Sequence, residues 1–363
     1  MKTNFFNFFS NKNSAKNSKK TGKNVRNYKS YIDNYDGVKT YLYDNQKPVW
    51  MNRSYAKFSE EGFIKNVVAH RCISMISKGV ASINLKLFQN IEEKNYEVKN
   101  HNLLNLIKFP NPLVNGNLFK ESIFNYRLIS GNSYILAVRN SAGFVQELYC
   151  LRPDKVSILT DKSGFITAYI YKNGAKDIRY PVDKLTGQSD ILHLKNFHPL
   201  DEHFGLSPIE SAAYSIDQHN QASQWNQSLL QNGAKPSGAL VVKSGEGYLG
   251  VLTDEQHQRI KRQIDEEFSG VHNAGRPLLL EGGLDWKEMS LSPKDMDFIS
   301  SKHTSAREIA LAFGVPPQLL GIPGDNTYSN LAEARLEFWE QTILPLAEEY
   351  CQAMNHWLLP MFN

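Results

Sequence analysis

The chain has 363 residues and a formal net charge of +4, with 41% hydrophobic and 21% charged residues. That length allows about two domains and a sizeable core. The charge is too small for a protein that grips nucleic acid by neutralising phosphates. Cys72, Cys150 and Cys351 are odd in number and far apart, so they read as reduced thiols, with neither a disulfide framework nor zinc spacing. No apolar run approaches the ~18 residues of a membrane span.

Residues 1–32 hold eight Lys or Arg and no acid. This basic tail, with F-F-N-F-F near its start, has too few aliphatic residues to fold alone and is expected to be disordered. A solvated tail is the plainer reading; a tether to membrane or DNA is the alternative. Residues 33–206 read as a mixed α/β body. A helix is expected over 60–78, capped by Ser59, with Phe63, Ile64, Val67, Val68, Ile73 and Ile76 inward. A strand over 81–89, a turn over 90–94, a short helix closed by Pro110 and Pro112, and a helix from Leu118 to Ile129 ended by Gly131 follow. Strand signals at 134–138, 144–151, 156–159, 165–171 and 191–195 point to an antiparallel sheet.

Ser207 and Glu210 form a capping box with Pro208 at the first helical position, opening a long helix over 207–232. That helix carries five glutamines, and Glu210 and Asp217 are its only formal charges. A neutral polar helix suits contact with copies of itself, where like charges would repel. An insertion over 233–291 contains strand, helix and hairpin signals. A second long helix over 292–320 starts at Ser292 and Pro293, carries Met296, Ile299, Ala306, Ile309, Ala310 and Phe313 on one face, and is stopped by Gly314 and Pro316-Pro317. A nearly uncharged loop over 321–330 precedes a last helix over 331–363. Pro345 lies inside that helix, removes one backbone hydrogen bond, and predicts a kink costing ~3 kcal/mol unless packing offsets it.

V-P-P-Q-L-L-G (315–321), T-Y-S-N-L-A-E-A (327–334) and I-L-P-L (343–346) resemble the HK97-type portal family of tailed bacteriophages, as do G-N-S-Y-I-L (131–136) and G-L-S-P (205–208). The resemblance implies an α+β portal fold: a mixed α/β wing, long stem helices, an inserted clip and a kinked C-terminal helix, with any crown segment truncated or absent. It implies a ring, most often of twelve subunits, at a capsid vertex of the virion, assembled in the bacterial host cytoplasm. Double-stranded DNA would pass through without sequence recognition. The implied partners are the terminase large subunit, a head–tail connector and the major capsid or scaffolding protein, with no membrane and no cofactor. Asp325, Asn326, Thr327, Tyr328, Ser329 and Asn330 would form the tunnel loop, and Lys294, Lys302 and Arg307 would face the channel. A loop with one charge touches a moving phosphate backbone without holding it, since each cation added would add salt-dependent affinity.

Rival chemistry is weaker. Gly245, Gly247 and Gly250 match a dinucleotide-binding fingerprint, which would make the chain a nucleotide-binding enzyme. The following helix, however, has its own cap at Thr253, and no alternating βαβ pattern surrounds the glycines. His193, His198 and His203 recur every five residues, which fits no zinc template. Ser207 is a cap and not a nucleophile, and no Walker motif is present, so ATP hydrolysis would belong to a partner.

Overall fold

A computed structural model of the chain describes residues 54–91, 94–174, 176–231, 238–242, 255, 258–259, 262, 284–288, 298–322 and 328–362. The expectations for the basic tail and the Gly245–Gly250 loop lie outside these residues, as do Ser292 to Met296 and most of the 233–291 insertion apart from two short strands and four helical residues. Those strands, β9 (Gly238–Val242) and β10 (Leu284–Glu288), pair antiparallel.

The first helical region is broken where one continuous helix was expected. A short helix α1 (Tyr55–Lys57) runs into a π-turn (Phe58–Ile64), and α2 (Val67–Ala81) starts afresh. The break is at Asn66, whose extended backbone lets its side-chain oxygen accept from the N–H groups of Val68 and Ala69. Ser54 and Asn66 are therefore the caps, and not Ser59. Ile64 and Val67 flank the break at 73% and 70% exposure, so they leave the core face expected of them. The helix also outlasts its prediction, and the strand after it begins only at Leu87: β1 (Leu87–Ile91) pairs with β2 (Lys94–Val98), taking Asn90 and Lys94 into the ladder.

Helices α3 (Asn102–Lys108) and α4 (Gly116–Ser130) follow, capped by His101 and Asn115, and Gly131 closes α4 in the left-handed region at φ +77°. Six strands make two antiparallel sheets. One has the order β4-β3-β8, built from β3 (Asn132–Arg139), β4 (Val145–Leu151) and β8 (Ile191–Lys195). The other has the order β5-β6-β7, built from β5 (Val156–Thr160), β6 (Ile166–Asn173) and β7 (Lys176–Pro181). Strand β7 had no apolar alternation to reveal it; its sequence K-D-I-R-Y-P is mostly exposed.

The alternation of β3 explains the layering. Ile135 and Ala137 point into the main core, with Ile73, Ile76, Ile123, Phe124, Ile309, Ile343 and Tyr350. Tyr134 and Leu136 point the other way, into a second cluster with Leu151, Val156, Tyr169 and Ile191. Successive strand residues face opposite sides, so the β4-β3-β8 sheet is buried on both faces, helices on one and the second sheet on the other.

The long polar helix is α5 (Pro208–Ser211) and α6 (Ala213–Gln231), separated at Ala212. Next come α7 (Phe298–Ala312), a 3-10 turn (Pro317–Leu320), α8 (Tyr328–Glu337), a π-turn (Phe338–Ile343) and α9 (Leu344–Trp357).

The helix pair, its loop and the junction beneath it

Helices α6 and α7 run antiparallel. Ser215 donates to Glu308 Oε2 at 2.7 Å, and Ser305 donates to Gln218 Oε1 at 3.3 Å, so one number rises as the other falls. Lys302 continues the register beside His219. Burial first, and then the Lys302 ammonium, hold the His219 pKa below the usual imidazole value. His219 Nδ1 lies 3.3 Å from Asn66 Nδ2, which also donates to Asn220 Oδ1 at 3.0 Å, while Asn220 Nδ2 donates to the Glu61 carbonyl at 3.0 Å. Since Nδ2 can only donate, Nδ1 is the acceptor, and the ring is neutral with its proton on Nε2. One buried asparagine thus caps α2 and fastens it to α6. Its sequence position, inside what looks like a continuous helix, hides this role.

On α5 and α6, Ser211, Tyr214, Gln221 and Gln224 are exposed and none is charged. Asp217 is buried.

At its C-terminal end α7 closes in a Schellman motif: Gly314 at φ +66° permits the Val315 N–H to reach the Ala310 carbonyl at 2.9 Å, and Val315 is buried beneath. Thr342 Oγ1 then donates to the Gly314 carbonyl at 2.6 Å. This bond ties the end of α7 to the π-turn that follows α8. Thr342 belongs to the π-turn, whose next residue, Ile343, packs against the open side of Gly79.

Asp325, Asn326 and Thr327 lie outside the described residues, as does Lys294. Tyr328, Ser329 and Asn330, expected in the loop, are the first residues of α8, which starts three residues before the expected Leu331. Lys302 and Arg307 are half-buried on α7. Pro345 stands in the first turn of α9, directly after the π-turn, where the Leu344 N–H bonds to the Trp339 carbonyl. The wider turn absorbs the missing donor at a place where an α-helical ladder would have been broken. Among the described residues no group of three or more His, Cys, Asp or Glu is arranged to hold a metal.

Below the helix pair, two glycine motifs that are far apart in the sequence meet. Gly131 and Gly205 touch backbone to backbone, and a Cβ on either would strike the other's carbonyl oxygen. Asn132 locks the crossing: its Oδ1 accepts from the Gly205 N–H at 2.7 Å and from His193 Nε2 at 3.0 Å. Ser207 donates to the Ile129 carbonyl at 2.7 Å and accepts from the Ile209 N–H at 3.0 Å. Arg127, buried at the end of α4, donates to Asn196 Oδ1 and to both oxygens of Glu349 on α9, each at 2.8 Å.

His193 is stacked on Tyr134 with ring centroids 4.3 Å apart and meets Tyr169 edge-on. Desolvation, helped by Lys195, pushes its pKa down to about 3 from 6.5. A folded-state value below the unfolded one means that neutral histidine is favoured by folding. Its contribution is intact above pH 6.5 and is lost as pH falls toward about 3, at up to about 1.4 kcal/mol per pH unit. Denaturant unfolding at stepped pH should show this slope between 6.5 and 5, and His193→Gln should flatten it. An unchanged slope in the variant would assign the acid sensitivity to other groups.

A family model described as "Phage portal protein" matches residues 67–363. A protein of Rickettsia bellii (strain RML369-C) is 47% identical over 304 residues, covering 84% of this chain and 77% of the relative. The portal protein of Enterobacteria phage HK97 is 28% identical over 316 residues, covering 84% and 70%. A chain in the neck of a native gene transfer agent particle, computed with C12 symmetry, is 40% identical with a TM-score of 0.63, covering 87% of this chain and 83% of that one.

Proposed function

Because this chain belongs to the phage portal protein family, we propose that its copies close into a twelve-membered ring at a capsid vertex of a virion. Double-stranded DNA passes through that ring during packaging and ejection. The ring docks the terminase large subunit during packaging and a head–tail connector afterwards, and it contacts the major capsid or scaffolding protein. The chain itself catalyses nothing; ATP hydrolysis belongs to the motor that docks on it.

The observation that carries this reading is the likeness, at 40% identity over 87% of the chain, to a protein found in a neck of C12 symmetry. Two features of the chain agree with it. The exposed side chains described on α5 and α6 carry no formal charge, so copies can pack there without repulsion between like charges. Thr342 ties the end of α7 to the π-turn after α8, so the two helical arms that flank the loop are held to each other.

Electron microscopy of the purified chain tests the ring directly; a particle that stays single under every assembly condition sinks the proposal. Deleting residues 325–329 should leave the ring intact and impair DNA packaging or retention. Loss of the ring on deletion would show that the segment holds subunits together and does not serve the channel.

A further inference from the structure

An exposed apolar loop and an exposed groove with two aromatic rings lie at diagonal corners of the β4-β3-β8 sheet. The first is the loop after β8, where Phe197 and Leu200 are 85% and 92% exposed. This loop is built and not slack. Asp201 Oδ1 accepts from the N–H groups of His203 and Phe204, Lys195 Nζ bonds to the Glu202 carbonyl, and the Asn196 N–H bonds to the Gly131 carbonyl. The second is a groove of about 970 Å³ beside the start of β4, where Phe109 and Phe144 are 64% and 66% exposed. Polar side chains make up much of the remaining wall, among them Asn100, His101, Asn102, Asn105 and Asn140, and no Asp, Glu, Lys or Arg lines it.

The sheet register separates the two. Lys195 pairs with Asn132 at one end of β3, and Val145 pairs with Arg139 at the other, on the opposite edge. That is about 24 Å along the strands and about 10 Å across them. A rigid loop that holds large apolar side chains in water is unfavourable unless something covers them. A head-to-tail contact that closes a ring needs two different, mutually fitting patches on opposite flanks of each subunit. Here one patch is a loop with exposed apolar side chains and the other a groove. Asp201 and Glu202 adjoin Leu200, with Lys195 beside them, whereas Lys108 Nζ lies 5.5 Å over the Phe109 ring.

We propose that the Phe197–Phe204 loop of one copy seats Phe197 and Leu200 in the Phe109–Phe144 groove of the next. This rests on the ring reading above and names the contact between neighbouring subunits. All four aromatic or aliphatic anchors are exposed in the single chain, so their replacement spares the core.

The test uses wild type and two double variants, Phe197→Asp with Leu200→Asp and Phe109→Asp with Phe144→Asp. Native mass spectrometry reads their assembly, and circular dichroism confirms that they are folded. Each variant alone should lose subunit affinity by about 30-fold or more, as for an interface anchor, and run as a monomer. Mixed one to one, they should give heterodimers and no rings, because each supplies the patch that the other lacks. Rings from either variant alone would overturn the assigned contact and leave the ring reading standing. Monomeric variants that fail to pair on mixing would show that the loop and the groove meet different surfaces. A wild type that never assembles would sink both readings. If removing residues 1–32 uncovers the groove to solvent labelling in intact rings, the groove belongs to that tail and the proposal falls.

Discussion

Replacing Gly131 by Ala is expected to destabilise the chain by about 3 kcal/mol or more, the largest effect of any one-carbon addition at the junction. The left-handed backbone accounts for about 1–2 kcal/mol of this, since φ is +77° and an L side chain is strained there. The remainder is collision. The added Cβ would meet the Gly205 carbonyl and come within 2.6 Å of the Leu206 carbonyl carbon, all of it backbone that cannot rotate away. Gly143 supplies the control. It has φ +87° and nothing within 4 Å of the built Cβ, so Gly143→Ala should show the conformational cost alone. Denaturant midpoints of the two variants should differ by the collision component; equal midpoints would mean that the crossing can open without loss. Gly205→Ala, whose Cβ would strike the Gly131 carbonyl from the other side and lie 2.6 Å from the Asn196 nitrogen, should behave like Gly131→Ala.

Asn66→Ala should cost about 3–5 kcal/mol, although it removes only a small polar side chain. Asn66 is fully buried, and its loss strands the Val68 and Ala69 N–H groups, His219 Nδ1 and Asn220 Oδ1 together. A lost N-cap accounts for about 1 kcal/mol, and each buried group left unpaired adds about 1–3 kcal/mol before relaxation. Asn66→Asp separates these contributions. It keeps the acceptor that caps α2 but places an anion against Asn220 Oδ1, so it should recover only the capping share. Unfolding midpoints of the two variants decide this. Equal stability of Ala and Asp at this position would mean that repulsion from Asn220 Oδ1 cancels the cap.

Much of the local structure was legible. The capping pattern at Ser207 and Pro208, the Gly131 stop and the Gly314 stop before Pro316-Pro317 all depend on backbone geometry within a few residues, and each appears where its sequence signal stands. Strands β3, β4, β5, β6 and β8 were visible through apolar and β-branched runs. Strand β7 was not, because an exposed edge strand needs no apolar face and takes its pairing from β6. The candidate loop was legible as a polar interval between two helical patterns, but its C-terminal boundary was not. Tyr328, Ser329 and Asn330 carry turn-forming chemistry, yet they continue into the helix that follows.

By itself the amino-acid order determined the succession of helices and strands, the uncharged character of α5 and α6, and the family to which the motifs belong. Spacing, caps and breakers act over one or two helical turns, so a linear reading contains them. Tertiary structure alone decided that Asn66 interrupts a helix to hold α6, that Thr342 ties the π-turn after α8 to the end of α7, and that Gly131 and Gly205 cross. It also decided that a widened turn receives Pro345. Each of these is a contact whose geometry depends on how packed elements approach, many of them between residues tens to hundreds of positions apart. No periodicity in one chain specifies which polar group will be left facing which.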